Sequence, residues 1–277
     1  MSTITASDVN KLRQMTGAGM MDCKKALTES NGDFDAAIDY LRKKGQKVSA
    51  NRSDREAKEG AVIAKTSADY KTGVIVQLSC ETDFVAKNED FVAFAHQLAD
   101  LALANNCADS DALKALTVDG VTVGDKIIEQ VGKIGEKIDV VNYVFLQGAN
   151  IVPYIHAGNR IGVLAVLNNA RTEANLVAGK DAAMQIAAMN PMALDKDDVD
   201  PSVIAREIEI GKDQARAEGK PEAMLEKIAQ GKLGKFYKES TLLNQEFVKD
   251  GSKTVAQMLD GAEKGLTVTA FKRVALG

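Results

Sequence analysis

The sequence predicts an α+β protein. A three-helix module comes first, followed by two related subdomains with three-stranded antiparallel sheets and an inserted antiparallel helical hairpin. Three observations predict this. Residues 4–45 carry apolar positions at helical spacing between clear breaks. Gly73-Val74-Ile75-Val76-Gln77-Leu78 recurs as Gly162-Val163-Leu164-Ala165-Val166-Leu167, 89 residues later. Between 191 and 234, two charged helical patterns are separated only by Gly219-Lys220-Pro221.

The N-terminal module spans residues 1–45. Thr5 or Ser7 can cap its first helix, with Val9 and Leu12 on the apolar face. Thr16-Gly17-Ala18-Gly19 breaks the pattern, a second helix runs from about Met20 to Glu29, and Asn31-Gly32 ends it. Asp33 can cap the third helix, whose Phe34, Ala37, Ile38 and Leu41 share one face; Gly45 is expected to close it. Such a bundle of short helices resembles a ubiquitin-associated-type domain, a docking module. Of the adjacent Met20 and Met21, one is expected in the core and the other free as a soft contact surface.

Residues 46–59 form a basic polar linker with Lys47, Arg52, Arg55 and Lys58 and no apolar stripe. A solvated helix or tether and an RNA-binding strip are both readings of it, although Asp54, Glu56 and Glu59 dilute the charge.

The first core subdomain covers 60–148 and the second 149–190 with 235–277; the hairpin occupies 191–234. The 89-residue offset also pairs Val62-Ile63 with Ile151-Val152, and the helical stretch from Val92 with the one from Asp181. A third strand closes each copy, Ile138–Val144 in the first and Leu266–Phe271 in the second. In the hairpin, Pro201 suits a helix start, and the short turn forces the two helices antiparallel.

Composition narrows the function. The 277 residues suffice for two or three compact units, and 45% hydrophobic content supports real cores. Aromatics are 5% with no Trp, so the cores are aliphatic. A net charge of −4 argues against a dedicated nucleic-acid binder. The start of the chain has neither the basic patch nor the apolar core of a signal peptide, and no apolar run could span a bilayer. Cys23, Cys80 and Cys107 are far apart and odd in number, which suits a reducing cytoplasm. His96 and His156 belong to no catalytic or metal-ligand pattern, and Gly17-Ala18-Gly19 lacks the context of a dinucleotide loop. No catalytic residue, metal, cofactor or bound nucleotide is expected.

The most informative stretch is Cys80-Glu81-Thr82-Asp83-Phe84-Val85-Ala86-Lys87, at a strand-to-helix corner. Phe84 either caps the local core or stands out as a rigidly held wedge for a partner. The second copy has Arg171-Thr172-Glu173-Ala174 at this corner, with no apolar residue in the place of Phe84. That difference favours the wedge.

Thr82-Asp83-Phe84-Val85 is similar to the Thr-Asp-Phe-Val signature of the bacterial elongation factor Ts family. Thr16-Gly17-Ala18-Gly19-Met20-Met21-Asp22-Cys23-Lys24-Lys25-Ala26-Leu27 is a second, longer match. Arg160-Ile161-Gly162-Val163-Leu164 after His156, Gly219-Lys220-Pro221 and Phe247-Val248-Lys249-Asp250 follow in the family's order. The resemblance implies a non-enzymatic guanine-nucleotide exchange factor for elongation factor Tu, in the cytoplasm, with no membrane or nucleic-acid partner. It implies that Thr82, Asp83, Phe84 and Val85 form the loop that displaces Mg²⁺ from the partner. Leu12, Met20, Met21 and Lys24 would hold the partner's nucleotide-binding domain, and His156, Gly158 and Arg160 would touch it elsewhere. A homodimer within a two-to-two complex is compatible with the resemblance. Ala157 stands where members often have Gly, and Glu246 and Gly251 replace common prolines. A further C-terminal helix that some members carry is expected to be absent, its grip left to another surface.

Overall fold

The computed structural model describes residues 4–277. Three helices come first: α1 (Ala6–Thr16), α2 (Met20–Glu29) and α3 (Phe34–Asn51). Thr5 and Asp8 form a reciprocal capping box at the start of α1, and the Asp33 carboxylate caps α3 through the Ala36 N–H. Val9, Leu12, Cys23, Ala26, Leu27 and Ala37 meet between them as a small core.

Strands β1 (Glu59–Thr66) and β2 (Thr72–Cys80) follow, then the one-turn helix α4 (Asp83–Ala86) and helix α5 (Glu89–Ala104). Next come α6 (Ser110–Ala115), the short strands β3 (Thr117–Val118) and β4 (Val121–Thr122), α7 (Val123–Ile134) and β5 (Asp139–Gln147). Strands β6 (Asn150–His156) and β7 (Ile161–Leu167) pair antiparallel, from Asn150 opposite Leu167 to His156 opposite Ile161. Helix α8 (Glu173–Met189) precedes α9 (Pro201–Ala217) and α10 (Glu222–Ser240), which pack together. Strands β8 (Glu246–Phe247) and β9 (Asp250–Thr254), helix α11 (Val255–Ala262) and strand β10 (Val268–Ala275) complete the chain.

The architecture is therefore mixed helix and sheet with small antiparallel sheets. The two larger sheets have the orders β1-β2-β5 and β6-β7-β10. In each, two strands adjacent in sequence pair, and the third, much later in the chain, adds beside the second. By contact density the chain divides into two units. One gathers the described residues up to Ile63, Val76–Phe145 and Ala275–Gly277; the other holds Ala64–Ile75 and Leu146–Val274. Helices α8 and α11 line the core of the second unit, with Val152, Val163, Ala165, Ala182, Ile186, Leu259 and Val268 in its interior.

The structure departs from the expected elements in three places. Helix α3 does not stop at Gly45 but runs to Asn51, so the first part of the expected linker is helical. Gly45 is not a cap; it is the point of closest approach between α3 and α7. A methyl group on Gly132 of α7 would lie 2.8 Å from the Gly45 Cα, so only glycine permits this crossing. No element is predicted between 105 and 137, where α6 and α7 lie; Val123, Ile127 and Val131 form the buried stripe of α7. Helix α10 continues past residue 234 to Ser240, with Leu225, Ala229 and Leu233 facing inward. Exposed ion pairs, such as Lys212 with Glu226 at 2.7 Å and Arg216 with Glu222 at 2.7 Å, fix the hairpin's pairing more than its stability.

The crossing of α3 and α7 gives a direct prediction. Gly132→Ala must push two helix backbones apart, which costs about 1–3 kcal/mol. The variant is expected to melt lower than the native protein, whereas Gly231→Ala, whose added methyl meets nothing within 4 Å, is not. Equal melting of Gly132→Ala and the native protein contradicts the close crossing. Among the described residues no helix is long and apolar enough to cross a membrane.

Candidate partner-binding site

The chain leaves buried strand β2 at Cys80 and turns into α4. Thr82 starts α4 because its extended backbone and hydroxyl suit a cap: Oγ1 accepts from the Val85 N–H at 3.5 Å. Helix α4 ends after one turn, and Asn88 then caps α5 by accepting from the Phe91 N–H at 3.1 Å. The second sheet lacks this break. There Thr172 caps α8 directly, and a single helix covers the corresponding stretch. The first copy thus carries an extra turn, and Phe84 sits on it.

Phe84 is 83% exposed, the most exposed large apolar side chain among the described residues. It does not cap a local core. Val85 and Thr82 are partly buried beside it, and Asp83 makes a 2.6 Å ion pair with Lys87 one turn on. That pair, led by the hydrogen bond from Lys87, holds the Asp83 carboxyl below its ordinary value. Asp83 thus acts within the corner here, although its carboxylate remains half exposed.

What holds the corner lies beneath it. The Glu136 carboxylate accepts from the backbone N–H groups of Glu81 and Thr82, each at 3.0 Å, and from the Thr82 hydroxyl at 2.6 Å. In return the Glu81 carboxylate accepts from the Lys137 N–H at 2.6 Å, from Arg52 at 2.7 Å and from Arg55 at 3.0 Å. Its side chain is only 15% exposed. Burial by itself would raise the Glu81 carboxyl, but the Lys137 N–H and the two guanidiniums outweigh it and hold it down at about 2. Burial, then the Glu136 charge, push the Cys80 thiol up to about 12. It therefore stays protonated and donates to the Thr82 carbonyl at 3.2 Å.

A pH window follows from Glu81. Its folded value lies below that of an unfolded glutamate, so the stabilisation is full above about pH 4.3 and drains as pH falls toward 2. The Thr82 and Phe84 amide resonances are expected to hold steady from about pH 8 to 5 and to move on further acidification. Resonances that move between pH 8 and 5, or not at all on acidification, contradict this role for Glu81.

The other expected contact residues divide. Met20 and Met21 are 51% and 75% exposed, so both, not one, lie on the surface at the start of α2. A short helix of ten residues buries only Cys23, Ala26 and Leu27, and its first turn projects beyond the core. Lys24 is exposed on the same helix. Leu12 is wholly buried between the three helices and has no surface to offer a partner. Met15, exposed at the end of α1, is an apolar surface residue that reading the sequence did not single out. In the second unit, His156 ends β6, where its Nδ1 meets the Tyr154 hydroxyl at 3.0 Å. The turn after it holds Ala157, Gly158 and Asn159 at φ of 52°, 64° and 67°. Ala157 is therefore strained, and glycine would relieve it. Gly158 and Arg160 are exposed there.

The strip from Lys43 to Lys58 is not a free cationic surface. Arg52 and Arg55 bind Glu81, Lys44 pairs with Asp22, and Lys58 pairs with Glu56 at 2.6 Å. Among the described residues no group of His, Cys, Asp and Glu is arranged to hold a metal.

Comparison with known proteins identifies the family. The family model described as elongation factor TS matches residues 81–277, beginning at the corner itself. The chain is 60% identical to an elongation factor Ts of Cytophaga hutchinsonii over all 277 residues, covering the whole of both chains. It is 55% identical to that of Flavobacterium psychrophilum, again over the whole of both. To that of Chlorobaculum parvum it is 43% identical over 288 aligned residues, with both chains fully covered. The chain belongs to the elongation factor Ts family.

Proposed function

We propose that this protein is a guanine-nucleotide exchange factor that binds elongation factor Tu and promotes GDP release during translation elongation in the cytoplasm. The observation that carries the reading is Phe84, an exposed aromatic on a corner that two buried-side carboxylates hold in place. An exchange factor needs no reacting groups. It must bind its partner better without nucleotide than with it, and nucleotide and factor then weaken each other by the same ratio. Each tenfold of that ratio takes about 1.4 kcal/mol of differential binding.

GDP is held on such a partner largely through its phosphates and Mg²⁺. Phe84 inserts between two helices of the partner behind the metal, with Thr82, Asp83 and Val85 shaping the inserted loop. Burying a Phe contributes roughly 1.5–3 kcal/mol, a main part of the ratio but not all of it. The remainder comes from a ubiquitin-associated-like docking module, through Met20, Met21 and Lys24, and from His156, Gly158 and Arg160 on the second of two duplicated subdomains. A homodimer in a two-to-two complex is compatible with this use of both units.

The test is release of a fluorescent GDP analogue from elongation factor Tu, in Mg²⁺ and in EDTA. The protein is expected to accelerate release strongly in Mg²⁺ and by a smaller factor in EDTA, where the metal is already gone. No acceleration in Mg²⁺ overturns the function. An equal factor in both buffers keeps the function and removes the metal from it.

A further inference from the structure

We propose that Glu136 is a positioning residue for nucleotide exchange: it sets the Phe84 turn at the angle and height needed for insertion. The inference rests on the reading of Phe84 as the inserting side chain. Glu136 itself is only partly exposed, and its carboxylate is occupied by three groups of the corner. Those three bonds end on residues 81 and 82, the two positions from which α4 departs. A carboxylate that fixes two consecutive backbone N–H groups fixes the direction in which the next turn leaves.

The surrounding contacts give Glu136 a rigid base. Helices α3 and α7 lie side by side at the Gly45–Gly132 crossing, and both finish at the corner. The end of α3 delivers Arg52, and Arg55 follows; the end of α7 delivers Glu136 and Lys137. The Lys137 ammonium joins the two ends by donating to the Ser53 carbonyl at 2.6 Å and the Arg55 carbonyl at 2.9 Å. Each carboxylate of the pair thus serves the other's segment: Glu81 accepts from the Lys137 N–H, and Glu136 accepts from the Glu81 and Thr82 N–H groups. The same α3 also belongs to the three-helix module that exposes Met20 and Met21. Phe84 is consequently held at a set position relative to that module, as a two-point grip on one partner requires.

The test is a double-mutant cycle on the maximal rate of GDP release from elongation factor Tu, with melting temperature recorded for each variant. Glu136→Ala is expected to lower the rate about tenfold in the native background and to leave it unchanged in a Phe84→Ala background. Glu136→Gln is expected to restore most of the rate, because its carbonyl can take both N–H groups while its amide donates to Thr82 Oγ1. If Glu136→Ala folds poorly, Thr82→Val removes the 2.6 Å hydroxyl bond to Glu136, together with the longer 3.5 Å cap bond from the Val85 N–H, and carries the same cycle. Losses that add in full in the Phe84→Ala background overturn the positioning role while insertion stands. A Phe84→Ala variant with native exchange overturns insertion itself, and leaves Glu136 nothing to position.

Discussion

Phe84→Ala is expected to slow stimulated GDP release by roughly 10- to 100-fold, the equivalent of burying one Phe in the partner. The melting temperature should not change, because a side chain 83% exposed contributes almost nothing to this protein's own core. The helical turn under it is held by Glu136 and by the Thr82 cap, neither of which involves the ring. The loss should appear in the release rate at saturating protein more than in the concentration needed to reach it. On the proposed mechanism Phe84 acts on the nucleotide-bound partner, and the rest of the surface supplies the grip. Native exchange by a folded Phe84→Ala variant would move the mechanism to the N-terminal helices or the second unit.

A second large effect is expected at a residue that touches no partner. Leu12→Ala opens a cavity in a core of six small and aliphatic residues and should cost about 2–5 kcal/mol. A three-helix module of that size has little margin, so α1 and α2 should lose protection from hydrogen exchange while the two sheets keep theirs. Binding to elongation factor Tu falls with it, through loss of the surface that α2 presents. Met21→Ala makes the contrast: at 75% exposure it should shift stability by no more than about 0.5 kcal/mol and still weaken binding. A Leu12→Ala variant that keeps its protection yet fails to bind would return Leu12 to the interface.

Much of this fold is legible in the sequence, for identifiable reasons. Strand β7 is an unbroken apolar run and β2 an apolar run interrupted by Gln77 and Ser79, and Gly219-Lys220-Pro221 divides two amphipathic patterns. Phe84 could be picked out because the repeat supplies its own control, with Glu173 where a core residue would be apolar. Gly45 misleads because a glycine after a helical pattern ordinarily signals a cap, and only the partner helix shows that it serves a crossing. Helix α7 is hidden by two glycines within twelve residues. The support beneath Phe84 is legible only as a hint. Glu136 reaches Thr82 across 54 positions and Arg52 reaches Glu81 across 29. In a chain with 27% charged residues, each of these reads as ordinary surface until the fold brings them together. A hint existed in the Arg52 and Arg55 pair, which sequence alone could assign only to a tether or to RNA.

The differential binding that defines an exchange factor can be measured directly. Isothermal titration of this protein into nucleotide-free elongation factor Tu, and into the same protein saturated with GDP and Mg²⁺, gives the two affinities. Binding to the nucleotide-free form is expected to be tighter by at least about tenfold, with the same ratio recovered when GDP is titrated with and without this protein. Equal affinity for the two forms contradicts an exchange role, however tightly the proteins bind.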